Sequence, residues 1–232
     1  MENVRALVLA AGKGTRMGTE VHKQFLTYRG EALFLKSVRV FLSCGIPVTV
    51  VTGEEDLPEA RRLLDAADFP EIREGLRRPD LAAGGALRCL SSYQGLLHIK
   101  NTGGAKTVLI HDAARPFVTA EIIRSALESV EKYGSGVSAV NSKDTVKTAD
   151  PEGFVLDTPR RSSVFLIQTP QAFLFDEILA SYERMLASGI DLSEITDDSS
   201  VMEQFSARHI HLSHGSYENT KITTPDDLKY LE

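Results

Sequence analysis

The chain has 232 residues, 42% of them hydrophobic and 25% charged, enough for one large α/β domain, residues 1–232, with its own core. No apolar run approaches the ~20 residues a membrane span needs, and no charged segment with a long apolar stretch opens the chain, so a cytoplasmic protein without a membrane partner is expected. The net charge of −6 argues against a nucleic-acid partner, which needs a basic stripe to displace counterions.

In chain order, "VRALVLA" is an apolar run that ends at a glycine loop, and "PVTVVT" and "KTVLIHD" are two more, each with the length and β-branched content of a buried parallel strand. Helical stretches separate them. "ALFLKSVRVFLSCG" carries apolar residues on a helical period and ends at Gly45, and "LPEARRLLDAA" has proline in its first turn. "TAEIIRSALESVEKYG" has Thr119 as N-cap and Gly134 as stop. This alternation predicts a Rossmann-like, mostly parallel sheet with helices on both faces, which binds ligands at the carboxyl ends of its strands. Past "SGVSAVN" the rhythm breaks. Residues 141–163 contain two short extended runs, read as polar, around a "PEG" turn, and predict a β-hairpin arm projecting from the sheet. The helix "FDEILASYERMLASG" and a last strand and helix in "TKITTPDDLKYLE" close the chain. Cys44 and Cys89 are too few and too isolated for a disulfide framework or a zinc site, and read as small buried apolar residues.

The loop "LAAGKGTRMG" after the first strand matches neither GxxxxGK[ST] nor GxGxxG, because its glycines stand at 12, 14 and 18. Ala10, Ala11, Gly12 and Gly14 nevertheless leave backbone N–H groups uncovered, so that a polyphosphate could approach, with Arg16 and Lys23 adding charge. A plain turn between strand and helix with two solvated cations explains the same letters. "HDAARP" puts Asp112 and Arg115 just past an apolar strand, where an aspartate could hold a divalent cation through water and an arginine could bind phosphate, or where the two could form a salt-bridged turn. "IQTPQAF" offers the Thr169 hydroxyl on a proline-fixed loop, or else a polar turn entering a helix. In "TKITTPDDL", Thr224 and Asp227 read as a capping pair, whereas capping leaves Lys221, in its short strand, unexplained.

Together "LAAGKGTRMG", "KQF", "GGALRCLSS", "HDAARP", "DTVK", "QTPQAF", "TDDSS" and "NTKITTPDDL" resemble, in order and spacing, the 2-C-methyl-D-erythritol 4-phosphate cytidylyltransferase family and its close relatives that transfer CMP to ribitol 5-phosphate. The resemblance implies a Mg2+-dependent transfer of CMP from CTP to a polyol phosphate, with release of pyrophosphate, by a homodimer built through the hairpin arms. It implies that Ala10, Ala11, Gly12 and Gly14 bind CTP through their backbone, with Arg16 and Lys23 on the phosphates. Gly84 and Gly85 would face the cytosine and Ser91 the nucleotide. Asp112, Arg115, Thr169, Thr196 and Lys221 would line the phosphorylated substrate and the reacting phosphate, Asp112 meeting the metal through water. Thr145 and Arg161 would reach in from the other subunit.

The chain departs from the family pattern in two places. Leu87 stands where the family carries an acidic or polar residue, and "EGLRRPDLAAGGALR" looks like an insertion, so that Gly75 competes with Gly84 as the start of the motif. "PRRSSVF" lacks the family's tryptophan, leaving Arg160 as an alternative to Arg161. Two other function classes remain open on residues alone. They are a nucleotidyltransferase acting on a sugar 1-phosphate, which would not need "HDAARP" with an arm and "QTPQ", and a non-catalytic nucleotide-binding relative, which would lose the charges kept here.

Overall fold

Strands and helices do alternate in the computed structural model, which describes residues 3–12, 25–224, 226, 227 and 229. Strand β1 (Val4–Ala10) is followed by a small hairpin, β2 (Thr27–Tyr28) and β3 (Glu31–Ala32), and by helix α1 (Leu33–Ser43). Next come β4 (Val48–Thr52), α2 (Leu57–Ala66), the single turn α3 (Pro70–Arg73), β5 (Asp80–Ala83) and α4 (Arg88–Asn101). The middle of the chain forms β6 (Thr107–Asp112), α5 (Ala120–Tyr133) and β7 (Ser135–Asn141), then the arm strands β8 (Thr148–Ala149) and β9 (Val155–Asp157). Strand β10 (Phe165–Leu174), α6 (Phe175–Ser188), α7 (Asp198–Phe205) and β11 (Leu212–His214) complete it.

Seven strands form one sheet in the order β11-β7-β10-β6-β1-β4-β5. Strand β1 lies parallel between β4 and β6, β4 pairs parallel with β5 and β7 with β11, while β10 runs antiparallel to both of its neighbours. Both faces of the sheet are buried, as the continuous apolar reading of β1 requires. Ala6, Val8 and Ala10 enter one core with Phe34, Val38 and Phe41 of α1 and Ile122 and Ala126 of α5. Leu7 and Leu9 enter the other with Leu96 and Ile99 of α4, Ile178 and Tyr182 of α6, and Val201 of α7. The cap signals hold: the Thr119 hydroxyl accepts the Ile122 N–H at 3.4 Å, and Gly134 ends α5 with φ of 80°.

Several features depart from the sequence reading. Strand β5 stands within the stretch that looked like an insertion, and helix α4 begins at its last residue, Arg88. The buried face of α4 is Cys89, Ser91, Ser92, Gly95, Leu96 and Ile99, small and polar enough to hide the helical period. A Cβ at Gly95 would collide with Leu7 and Val51, so the small residues let this helix sit directly on the sheet. "IQTPQAF" is neither a loop nor a helix entrance. It lies within β10, whose register with β7 shifts between Ile167 and Gln171 around the cis Thr169–Pro170 bond. Lys221 stands in irregular backbone instead of a strand; the neighbouring Ile222 N–H donates to the Ala114 carbonyl at 2.8 Å. The expected capping pair forms beside it, Asp227 Oδ2 accepting the N–H groups of Thr223 and Thr224 at 2.8 Å.

The arm is a two-stranded antiparallel ribbon with Gly153 at φ of 91° in its turn. Its second run is apolar, not polar: Phe154, Val155 and Leu156 are 73%, 56% and 68% exposed. Cys89 is buried and Cys44 only half-buried. Among the described residues no helix is long and apolar enough to cross a membrane.

Candidate active site

The carboxyl ends of β1, β4, β5 and β6 open on one cavity of about 590 Å3. Ala10, Ala11 and Gly12 line it after β1, Gly53 to Glu55 after β4, Gly84 to Arg88 after β5, and Asp112 to Ala114 at the end of β6, with Ser91 and Lys221. This is the side of an open parallel sheet where ligands bind, at the strand β1 from which the connections depart in both directions. A cavity of about 650 Å3 lies at the other end of the sheet, by Val4, Arg5, Pro47 and Gly103, away from every residue singled out by motif. Location and lining chemistry favour the smaller one.

Two glycines set the shape of its wall. Strand β5 runs straight into Gly84 and Gly85, and Gly84 N–H donates to the Thr52 carbonyl at 2.7 Å, continuing the ladder. A Cβ at Gly84 would stand 2.8 Å from both Ala11 Cβ and Ser91 Oγ, which only glycine avoids. Ser91 accepts the Gly85 N–H at 3.2 Å and has the Gly85 and Leu87 carbonyls within 3.2 and 3.1 Å, pinning the glycine loop to α4. Gly75 stands in a turn after α3 and does not line the cavity.

At the floor is a charge cluster. Asp112 Oδ2 meets Lys221 Nζ at 2.6 Å, and Asp112 Oδ1 meets Arg88 Nη2 at 3.0 Å. Arg88 Nη2 also reaches Asp198 Oδ2 at 2.8 Å, and Asp198 Oδ1 accepts the Tyr182 hydroxyl at 2.6 Å. Burial would raise the Asp112 carboxyl, but the Arg88 and Lys221 cations outweigh it and hold the group far below the usual carboxylate range. Burial likewise works against the Arg88 cation, and Asp112 and Asp198 reverse it, keeping the guanidinium charged.

Behind Asp112 a second chain of hydrogen bonds fixes the strand end. The Asp112 N–H donates to Thr169 Oγ1 at 3.0 Å, Thr169 Oγ1 lies 3.0 Å from His111 Nδ1, and His111 Nε2 lies 3.1 Å from the Arg115 carbonyl. A carbonyl only accepts, so Nε2 carries the ring proton and Nδ1 takes the threonine hydroxyl proton. That is neutral imidazole, and burial pushes His111 down to about 4.

The residues expected from motifs separate into groups. Ala10, Ala11, Gly12, Gly84, Gly85, Ser91, Asp112 and Lys221 line the cavity together. Gly14, Arg16 and Lys23 lie outside the described residues. Arg115 forms no salt-bridged turn with Asp112; its guanidinium donates to the carbonyls of Asn219 at 2.7 Å and Ile167 at 3.4 Å, and burial lowers its pKa. Thr169 is buried behind the strand end. Thr196 is exposed, just before the Asp197 cap of α7. Thr145, Arg160 and Arg161 are exposed on the arm and do not line this chain's cavity; Arg161 Nη1 donates to the Lys143 carbonyl at 3.3 Å.

Sequence reasoning passed over Arg88, Asp198 and Tyr182. A signal was present: a cation opening a helix opposes the helix dipole, so Arg88, three residues past Gly85, calls for a carboxylate to hold it. Its partner could not be named, because Asp198 comes from a distant helix.

Among the described residues no group of three or more histidine, cysteine, aspartate or glutamate side chains converges as a metal site. Asp112 offers one carboxylate, which suits a Mg2+ ion held mostly by water and substrate phosphates rather than a protein-enclosed cation.

The chain is 38% identical over 229 residues to a 2-C-methyl-D-erythritol 4-phosphate cytidylyltransferase of Clostridium botulinum strain Eklund 17B, covering 97% of this chain and 96% of that one. It is 36% identical to the protein of that description in Clostridium novyi strain NT, over 96% of this chain and 92% of the relative. The crystal structure of a 4-diphosphocytidyl-2C-methyl-D-erythritol synthase from Anaerococcus prevotii superposes with a TM-score of 0.83 at 30% identity, over 99% of this chain and 96% of the other. The family profile described as 2-C-methyl-D-erythritol 4-phosphate cytidylyltransferase matches residues 4–232, so that the glycine-walled cavity and its Asp112–Lys221 floor stand in a chain that belongs to the 2-C-methyl-D-erythritol 4-phosphate cytidylyltransferase family.

Proposed function

We propose that this protein transfers CMP from CTP to 2-C-methyl-D-erythritol 4-phosphate and releases pyrophosphate. The observation that carries the reading is the lining of one cavity by two kinds of surface: the Ala10–Gly12 backbone with the Gly84–Gly85 wall, and the Asp112–Lys221 pair. The first can admit a polyphosphate and a base at close range, and the second places a cation beside the strand end.

Both reactants are anions. The acceptor phosphate oxygen attacks the α-phosphorus of CTP in line, the bond to the bridging oxygen of pyrophosphate breaks, and no covalent enzyme intermediate is required. The chain lowers the barrier by positioning and by charge. Lys221 offers its ammonium to the reacting phosphate, and Arg16 and Lys23 take the triphosphate. Asp112 would hold Mg2+ through water, and that ion, when bound, would offset phosphate charge. The buried Thr169 and the half-buried Arg115 shape the strand end and the Lys221 segment, and Thr196 would meet the acceptor. Thr145 and Arg161 would enter the cavity of a second copy through the arm, whose exposed apolar run would be covered in a homodimer.

Pyrophosphate release from each of five nucleoside triphosphates, with 2-C-methyl-D-erythritol 4-phosphate or ribitol 5-phosphate as acceptor, tests the reading. CTP with the first acceptor should give the highest kcat/KM and should depend on Mg2+. Preference for ribitol 5-phosphate would move the protein to the neighbouring activity. Nucleotide binding without turnover on either acceptor would make it a binding protein.

A further inference from the structure

Asp198 and Tyr182 are both fully buried, yet they hold an ionised cluster together instead of packing as an apolar pair. Three elements converge there: Arg88 opens α4, Asp198 opens α7, and Tyr182 lies within α6. Neither Asp198 nor Tyr182 lines the cavity, so neither can touch a ligand in it. Stability alone is a weak reason for such a group, because buried ion pairs are often replaced by apolar side chains at little cost.

Geometry supplies a better reason. Arg88 Nη2 bridges Asp112 Oδ1 at 3.0 Å and Asp198 Oδ2 at 2.8 Å, and Arg88 Nε adds a 3.1 Å bond to Asp112 Oδ1. The guanidinium is thus clamped from behind by a carboxylate whose second oxygen is held by a buried phenol. With Oδ1 of Asp112 committed to Arg88, only Oδ2 is presented to Lys221. We propose that Asp198 and Tyr182 are positioning residues that set Asp112 and Lys221 for the reaction by fixing the Arg88 guanidinium between two carboxylates. The inference rests on the reading that Asp112 acts in this cavity.

Without the charge at 198, Arg88 is held by one carboxylate and can turn about its stem, carrying Asp112 with it. Displacements of about 1 Å at a reacting centre cost up to about 100-fold in rate, so a partial loss is expected.

The test is a double-mutant cycle on the full chain, using single-turnover CMP transfer from labelled CTP so that slow variants remain measurable. Asp198→Asn should lower the rate at saturating CTP about tenfold with KM for CTP within about twofold, and Tyr182→Phe should lower it about threefold. Adding either change to Asp112→Asn should cost less than about twofold more, since the positioned group is already disabled. Losses that multiply in the double variants, or a wild-type rate in both single variants, would overturn the proposal. Should Asp198→Asn fail to fold, Tyr182→Phe, which removes one oxygen and no charge, carries the same cycle. A wild-type rate for Asp112→Asn would instead remove the reading of Asp112 itself, and the positioning role with it.

Discussion

Lys221 Nζ lies 2.6 Å from Asp112 Oδ2, joining irregular backbone near the carboxyl end to the tip of a central strand. The contact is held from both sides, since Ile222 is tied to Ala114 through the backbone and Asp112 is gripped by Arg88.

If Lys221 neutralises charge that develops on the reacting phosphate, its loss should remove a contact made chiefly in the transition state. Lys221→Ala should reduce kcat by about 100- to 1,000-fold with a small change in KM for CTP, as for other deleted oxyanion donors. A loss confined to KM would assign the lysine to ground-state binding. Arg16→Ala and Lys23→Ala should each give losses of orders of magnitude, and near-wild-type turnover in both would remove them from the site.

His111 makes stability depend on pH in a definite direction. Its folded pKa of about 4 lies below its ordinary value of 6.5, so the unfolded chain binds more protons between those limits. Stability associated with this residue is therefore complete above about pH 6.5, declines as the pH falls, and levels off below about pH 4, a total of roughly 3 kcal/mol. Thermal melts of wild type and His111→Gln across that window should show a flatter profile in the variant. Parallel profiles would mean that His111 titrates normally.

Asp112 shifts in the same direction, through its cationic partners instead of burial, and so acts at lower pH. Its carboxyl is held far below the usual range, so its pairing is present above the ordinary carboxylate pKa, about 4, and is lost only as the pH falls below it. The pH–rate profile should accordingly show no ionisation from Asp112 between about pH 5 and 9. An acid limb in the wild type that disappears in Asp112→Asn would contradict this. The same variant should lose most activity and weaken the response to Mg2+; an unchanged Mg2+ titration would return Asp112 to a structural role.

At Gly84 the cavity wall leaves no room for a methyl group beside Ala11 and Ser91. Gly84→Ala should raise KM for CTP and cost about 1–3 kcal/mol of stability, the usual penalty of overpacking. Gly75→Ala, in a turn away from the cavity, should leave KM for CTP unchanged. Equal effects on KM would return the motif assignment to Gly75.

The arm predicts a shared site. Its Phe154, Val155 and Leu156 are exposed in one chain, and an isolated two-stranded ribbon is marginal in water. Replacing Phe154 and Leu156 with aspartate should shift sedimentation from dimer to monomer and abolish turnover. Mixing Lys23→Ala with Arg161→Ala under subunit exchange should restore activity, because about half of a random mixture is heterodimer with one site wholly of wild-type residues. A mixture as inactive as its parents, with exchange confirmed, would place Arg161 within its own subunit or outside the site.

Local chemistry made much of this protein legible in one dimension. The buried strands β1, β4 and β6 announce themselves as β-branched apolar runs, α5 by its Thr119 cap and Gly134 stop, and the arm by a turn between two short extended runs. Each of those signals is complete within one short stretch of chain. The family resemblance placed Ala10 to Gly12, Gly84, Gly85, Asp112 and Lys221 at one site, and they do line one cavity. Helix α4 escaped because two serines and a glycine interrupt the apolar residues of its buried face, and the glycine makes sense only when Leu7 and Val51 press against it. The "QTPQ" stretch escaped because its polar side chains are satisfied by distant partners, Gln171 by Asp197 and Thr169 by Asp112 and His111, so polarity there does not mean exposure. Residue types and their order determined which strands could end at a ligand. Only the tertiary structure decided how charge is shared there, because Arg88, Asp112, Asp198 and Lys221 come from four separate segments, and the low dielectric that makes their pairing strong exists only once those segments have packed.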